Sequence, residues 1–256
     1  MGYFVHKDSI VRKIWGNADT ILLVFAGASA EFALNKAVDW LFYTGKLPAN
    51  PLDRLFSTVE YARKIVFAEK SSAEAAIRNI NAIHSSVESS RGSHIPQWAY
   101  RDVLFMLIDY SIRSYEVLVE NLTSEEKEEV FHVFWRMGTL MKIEELPVSF
   151  DAFEQQRAIH LQQHLYYGDF SKALYRSYRE HLGPVRYFLL KQTQKFLLPA
   201  EVRKHLNMSS LSILKSLLWI YSLSKNLEAD RRLRKIILPN QYLNQIEDLD
   251  HQPITI

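Results

Sequence analysis

The chain has 256 residues, enough for one large domain, and its hydrophobic fraction of 48% supplies a substantial core. Its formal net charge is only +2 and its charged side chains are spread along the sequence, which argues against nucleic acid as a partner. Because it contains no cysteine, disulfides, zinc–thiolate sites and iron–sulfur clusters are excluded. Any chemistry must therefore come from histidine, carboxylates, hydroxyls or a cofactor.

The sequence contains no pattern typical of a membrane-spanning or exported chain. The N-terminal segment has no apolar run of signal-peptide length, so we expect the protein to begin at Met1 and to be cytoplasmic. The two most apolar stretches, 20–30 and 211–223, are shorter than the roughly 20 residues that a transmembrane helix needs. We therefore expect no transmembrane segment.

Apolar residues recur at spacings of three and four along the chain, so the sequence predicts an all-α fold. No linker rich in glycine, serine or proline divides it, which favours a single domain over 1–256. Capping patterns such as Ser71 with Glu74 and Thr123 with Glu126 mark helix starts in a bundle of about ten helices. The predicted helices cover 9–15, 18–44 with Gly27 as the candidate break, 51–68, 71–90, 97–120, 124–142, 149–164, 169–181, 184–197 and two or three more up to 246, followed by a loosely docked tail at 247–256.

The predicted helix 97–120 contains the run Val103 to Ile108, which is apolar on every side. A helix without a polar face is normally surrounded by other helices, so we expect this one to be the buried central element. Asp109 follows the run four residues before Arg113. This spacing favours an ion pair, with a buried carboxylate acting as a general base as the alternative.

His84 lies on the apolar stripe of the predicted helix 71–90, between Ile80 and Val87 and beside Ile83. A histidine in such a position is most often a core residue satisfied by hydrogen bonds. The alternative is an axial ligand, because a neutral imidazole among aliphatic side chains is how proteins hold haem iron. The pattern alone favours the core histidine.

The preceding helix, 51–68, carries polar side chains along the edge of its apolar face. Arg54, Thr58 and Tyr61 share one ridge beside the face formed by Leu55, Val59, Ala62 and Val66. The ordinary interpretation is a solvated boundary along which the stem of Arg54 extends. The functional alternative is a polar clamp on a cofactor carboxylate or a bound oxidant.

Two other patterns indicate metal sites only weakly. His160 and His164 share one helix face at a spacing that can bind metal, but Leu161 stands where a zincin carries glutamate. We therefore favour an amphipathic boundary helix there. Glu129 and His132 form one Glu-x-x-His motif, whereas a di-iron centre needs two such motifs and two further glutamates.

Four segments in order carry a resemblance to one family. Pro51-Leu-Asp-Arg-Leu-Phe-Ser-Thr58 is similar to a D-P-x-x-R-x-x-x-T helix, and Ile83-His-Ser-Ser-Val87 to a hydrophobic-His-x-x-V segment. Segment 137–147 and segment 197–203 are similar to the later motifs L-G-x-L-x-x-x-x-x-D-L-P and L-L-P-x-x-L-R. Together, over about 17–206, they resemble the latex-clearing-protein and MpaB-type oxygenases, helical proteins that hold one b-type haem.

This resemblance implies haem b as the cofactor and His84 as its proximal iron ligand, with Arg54 and Thr58 lining the haem pocket. It also implies an oxygenase that acts with dioxygen on a small apolar substrate, in that family an isoprenoid chain. No glutamate of this chain matches the family's proposed catalytic base, and Asp39 is the nearest carboxylate in sequence.

The chain departs from the family pattern at three further places. Ser57 stands where latex-clearing proteins carry a lysine before the threonine, and a histidine–proline pair is missing from 32–39. In the central helix, Asp102-Val103-Leu104 replaces an aromatic-Val-His segment. These departures keep two alternatives open: a helical protein that binds haem or a lipophilic ligand without turnover, and a haem-free interaction protein.

Overall fold

The computed structural model describes residues 2–45 and 51–212, and within 51–59 it describes the side chains of Ser57 and Thr58. These residues form ten α-helices, so the predicted all-α fold is confirmed. The predicted helices beyond 212 and the tail at 247–256 lie outside the described residues. The helices are α1 (Ile10–Trp15), α2 (Ala18–Leu34), α3 (Val38–Tyr43), α4 (Pro51–Phe67), α5 (Lys70–Arg91), α6 (Gln97–Leu118), α7 (Ser124–Leu140), α8 (Phe150–Gln163), α9 (Asp169–Leu197) and α10 (Ala200–His205).

The predicted helix 18–44 is two helices, and the break is not at Gly27. Helix α2 ends at Leu34, and Asn35 takes an extended conformation with ψ 131°. The Asn35 side-chain oxygen accepts a hydrogen bond from the Ala37 backbone N–H at 2.8 Å, which turns the chain before α3. Gly27 stays helical, and a Cβ there would overlap the Tyr110 ring, so its missing side chain lets α2 approach α6 closely.

One other boundary differs from prediction and two are confirmed. Helix α5 begins at Lys70 with Glu69 in the cap position, so Ser71 is not the cap. The predicted division of 169–197 before Pro184 is confirmed, because Gly183 is non-helical with φ 71° and α9 consists of two helical segments joined at this kink. The Thr123 capping box with Glu126 is present as predicted, with hydrogen bonds of 3.2 and 2.9 Å.

Helix α6 is the central element, as its all-apolar run predicts. Residues 104–108 are all buried, and Tyr110 is completely buried. Helices α1, α2, α7, α8 and α9 all pack against α6. On the α1 side, the buried Trp15 indole N–H donates to the Ser111 hydroxyl at 3.0 Å.

Helix α5 packs on the periphery, and its predicted apolar stripe is only partly covered. Ala73 and Ile77 are buried, but Ile83 is 49% exposed. The stripe therefore contacts the core in the first half of the helix and leaves it towards the second half. His84 is half-buried as a result.

The ends of α2 and α8 are joined by backbone hydrogen bonds. The Lys36 N–H donates to the His164 carbonyl at 2.9 Å, and the Tyr166 N–H donates to the Leu34 carbonyl at 2.7 Å. These bonds hold the segment that follows α2 against the end of α8, and the segment that follows α8 against the end of α2. In the part of the chain that the structure describes, every helix is too short or too polar to cross a bilayer.

Candidate functional site

A cavity of about 640 Å³ lies among helices α2 to α7. This volume falls in the range of roughly 300–1,000 Å³ that is usual for small-molecule and cofactor sites. Most of its wall is aliphatic or aromatic, with contributions from Phe32, Leu41, Ile65, Ile80, Val103, Leu107 and Met141. A few polar groups interrupt this wall, as is usual for a binding pocket.

His84 is one of those polar groups. Its ring lies 5.0 Å from the ring of Tyr100, which comes from α6 and lines the same cavity. The Tyr100 hydroxyl donates to Glu88 Oε1 at 3.0 Å, and the Ile95 backbone N–H donates to the same oxygen at 2.9 Å. The wall on this side of the cavity is therefore fixed by hydrogen bonds between α5, α6 and the segment that joins them.

Thr58 and Ser57 bring two hydroxyls to the cavity from α4. The structure thus places Thr58 and His84, which the sequence picks out separately, on the wall of one cavity. Arg54 lies one turn earlier on α4, and its side chain lies outside the described residues. Its predicted place in the pocket stays a prediction.

Asp39 does not line the cavity. Its carboxylate accepts from Arg91 Nη2 at 2.7 Å, and its side chain is 37% exposed. The Arg91 guanidinium also lies 4.0 Å from the centre of the Trp40 ring. Asp39 is thus part of a surface contact between α3 and the end of α5, and its predicted role as a base stays a prediction.

A second polar group, which we call the buried charge cluster, is centred on Glu31, Asp102, Asp109, Arg157 and His160. The Glu31 side chain is completely buried in α2. Its two oxygens accept hydrogen bonds from both Nη atoms of Arg157, from the Tyr110 hydroxyl at 2.9 Å and from His160 Nε2 at 3.0 Å. Burial alone would raise the pKa of Glu31, but Arg157 and His160 outweigh it and lower that pKa to about 2.

Asp109 extends the buried charge cluster. Arg157 donates to Asp109 Oδ2 through Nε at 3.2 Å and Nη2 at 2.9 Å, while Arg113 Nε donates to Oδ1 at 2.7 Å. The predicted ion pair of Asp109 with Arg113 is therefore confirmed. Two guanidinium groups hold this carboxylate, so the structure does not favour Asp109 as a general base.

Asp102 faces two histidines at the other end of the cluster. Its Oδ1 lies 2.6 Å from His160 Nδ1, and its Oδ2 lies 3.1 Å from His164 Nδ1. Burial would lower the pKa of His160, but the carboxylates of Asp102 and Glu31 raise it above its usual value. Burial lowers the pKa of His164, which stacks on the Trp98 ring at 4.3 Å.

The cavity and the buried charge cluster meet at Asn35. This residue lines the cavity, and its side-chain amide donates to Asp102 Oδ2 at 3.4 Å. Asn35 belongs to the segment without the histidine–proline pair, and Asp102 stands in the segment that replaces aromatic-Val-His. Two departures from the family pattern, far apart in sequence, are therefore neighbours in space.

Most of the buried charge cluster is not evident from the sequence. Glu31 and Arg157 are not recognisable as a pair because they stand on different helices, although Glu31 interrupts an otherwise apolar helix. That interruption is the signal that could have found it, since a lone carboxylate on an apolar helix needs a buried partner. His160 and His164 form a possible metal-binding group only together with Asp102, which belongs to α6 and packs against α8.

The family model for the ER-bound oxygenase mpaB/B'/rubber oxygenase catalytic domain matches residues 14–220. This range includes the cavity, His84 and the buried charge cluster, and it agrees with the resemblance found in the motifs. No curated protein matches the chain.

Proposed function

The chain belongs to the family of mpaB and rubber oxygenase catalytic domains, and from this premise we propose that it is a haem b-dependent oxygenase that acts with dioxygen on a small apolar substrate. The observation that carries the proposal is the placement of His84 on the wall of a largely apolar cavity of about 640 Å³. An interaction protein has no need for such a cavity.

The residues around the cavity fit a b-type haem. A histidine-ligated haem needs an imidazole that faces an apolar space, and His84 has both the position and the surroundings. A His84 packed tightly on all sides would have excluded this cofactor. When bound, haem would supply the activation of dioxygen.

The roles of individual residues follow from their positions. His84 would coordinate the iron through one ring nitrogen, and its contact with Tyr100 at 5.0 Å restricts how the imidazole turns. The Thr58 hydroxyl is a hydrogen-bond donor on the same cavity wall and is our candidate for contact with bound oxygen. Arg54, from its sequence position, is our candidate partner for a haem carboxylate.

The lining of the cavity indicates the substrate class. Aliphatic and aromatic side chains bind apolar groups without directional bonds, so a hydrocarbon chain suits this wall better than a sugar or a nucleotide. Within that class we propose an isoprenoid chain, which is the substrate type of the family's known chemistry. Oxidative cleavage of an alkene would then be the reaction.

The proposal is tested by oxygen consumption of the haem-loaded protein with and without a prenylated substrate. We expect consumption that depends on substrate, and a loss on the order of 10²-fold in Thr58→Val, since this is what removal of one transition-state hydrogen-bond donor costs. Thr139→Val is the matched control, because Thr139 is exposed on α7 and away from the cavity. Equal losses in both variants would refute the role of Thr58.

The second candidate is a helical protein that binds haem or a lipophilic ligand without turnover. The observation that favours it is Ser57 on the cavity wall, at the position where latex-clearing proteins carry a lysine. The same oxygen electrode separates the two candidates. A protein that takes up haem but consumes no oxygen with any prenylated substrate would support the second.

A further inference from the structure

We propose that Asp102, His160 and His164 bind one divalent transition-metal ion, in addition to any haem and independently of it. Each residue offers one ligand atom, and within the described residues all of these atoms lie within 4.8 Å of one another. Asp102 comes from α6, whereas His160 lies in the last turn of α8 and His164 caps that helix. The ion would therefore join the central helix to the end of α8.

The distances between the ligand atoms suit a metal. His160 Nδ1 lies 3.2 Å from His164 Nδ1, and His164 Nδ1 lies 3.4 Å from Asp102 Oδ1. Metal bonds of about 2.1 Å place neighbouring ligands about 3.0–3.4 Å apart at octahedral to tetrahedral angles. The separation of 2.6 Å between His160 Nδ1 and Asp102 Oδ1 needs to widen by only a few tenths of an ångström.

Glu31 supplies an independent reason. It accepts a hydrogen bond from His160 Nε2 at 3.0 Å, and Arg157 and Tyr110 hold it in place. A histidine that binds a metal through one nitrogen nearly always donates its other N–H to a carboxylate or carbonyl, which fixes the tautomer. Here that partner is built into the fold and leaves Nδ1 of His160 to face Asp102 and His164.

Charge balance gives the third reason. Arg157 and Arg113 together offset Glu31 and Asp109, whereas the ion-pair partners of Asp102 among the described residues are the two histidines. Asp102 is 2% exposed, and a buried carboxylate needs a nearby positive charge. That charge is either a proton on the imidazoles or a metal ion.

Protons are the alternative to a metal ion. The Nδ1–H of each histidine can donate to its own oxygen of Asp102, at 2.6 Å for His160 and 3.1 Å for His164. One metal ion would replace both protons, because the two Nδ1 atoms and one Asp102 oxygen then act as electron-pair donors. Zinc uptake distinguishes the two arrangements.

The donor set indicates the class of ion. Two imidazoles and one carboxylate suit zinc and its neighbours in the first transition row, and they do not suit calcium or magnesium, which prefer oxygen. His164 is the most exposed of the three, with 23% of its side chain accessible, and gives an ion a path to the site. The remaining coordination positions would be filled by water.

Zinc alone is the probe for the experiment. The full chain, without an affinity tag, is prepared haem-free, dialysed against a chelator and titrated with zinc chloride by calorimetry. We expect one zinc per chain, and an increase in melting temperature of roughly 5–10 °C at a zinc concentration a hundredfold above the dissociation constant. His164→Ala should lower zinc affinity by more than about 100-fold, since loss of a direct ligand costs at least as much as loss of an outer partner.

His132→Ala is the matched control, because this histidine is exposed on α7 and remote from the site. It should bind zinc as the wild type does. His164 is the least buried of the three ligands, so its variant should keep the helical circular-dichroism signal that shows a folded chain. A wild type that binds no zinc, or a His164→Ala variant that binds it as tightly as the wild type, would overturn the proposal.

Discussion

Replacing Glu31 by glutamine tests the buried charge cluster through its dependence on pH. In the folded chain the pKa of Glu31 is about 2, compared with 4.5 for a free glutamate. Because 1 pKa unit corresponds to about 1.4 kcal/mol, ionised Glu31 contributes about 3 kcal/mol to the free energy of unfolding at pH 7. This agrees with the roughly 3–5 kcal/mol that breaking a buried ion pair costs.

The direction of the pH dependence follows from the lowered pKa of Glu31. The contribution of Glu31 is complete above pH 4.5 and is lost as the pH falls towards 2, because the unfolded chain takes up the proton first. The wild type should therefore be more stable than Glu31→Gln by about 3 kcal/mol at pH 7. At pH 3 this difference in the free energy of unfolding should be smaller by about 2 kcal/mol.

Urea denaturation followed by circular dichroism at both pH values measures this gap. Glu154→Gln is the matched control, because Glu154 is exposed on α8. It should change stability by less than about 0.5 kcal/mol at either pH. A gap between the wild type and Glu31→Gln that stays constant from pH 7 to pH 3 would refute the reasoning.

Three further predictions concern packing and the proposed base. Gly27→Ala should reduce the free energy of unfolding by about 1–3 kcal/mol in urea denaturation, because the new Cβ overlaps the Tyr110 ring; no loss would refute the close approach of α2 and α6. Trp15→Phe should cost about 1–3 kcal/mol in the same assay, because it removes buried volume and the hydrogen bond to Ser111. Asp39→Asn should leave haem uptake in a spectroscopic titration unchanged, since Asp39 lies outside the cavity; lost uptake would contradict that placement.

Helix positions follow from the sequence where the signal is local. The capping box of Thr123 and the all-apolar run of α6 depend on residues within a few positions, and both predictions were confirmed. The break at Asn35 was missed because Gly27 is the more conspicuous helix breaker. Gly27 stays helical, and the feature that requires a glycine there is the Tyr110 ring of another helix.

The residues of the candidate site likewise differ in whether the signal for them is local in sequence. His84 and Thr58 belong to short motifs within one helix each, so sequence alone could pick them out. The contacts of Glu31 with Arg157, and of Asp102 with His160, connect helices that are distant in sequence. Periodicity says which face of a helix is buried but not which residue of another helix it meets, so Glu31 could be recognised as a buried carboxylate but its partners in the buried charge cluster could not be predicted.

Haem uptake by the wild type and His84→Ala tests the central claim most directly. The purified chains are supplemented with haem, and bound haem per chain is read from the Soret band, with His94→Ala as a control because His94 is exposed just after α5. We predict one haem per chain in the wild type and in His94→Ala, and none held stoichiometrically by His84→Ala although its helical signal persists. Equal haem content in His84→Ala and the wild type would contradict the claim that His84 holds the cofactor.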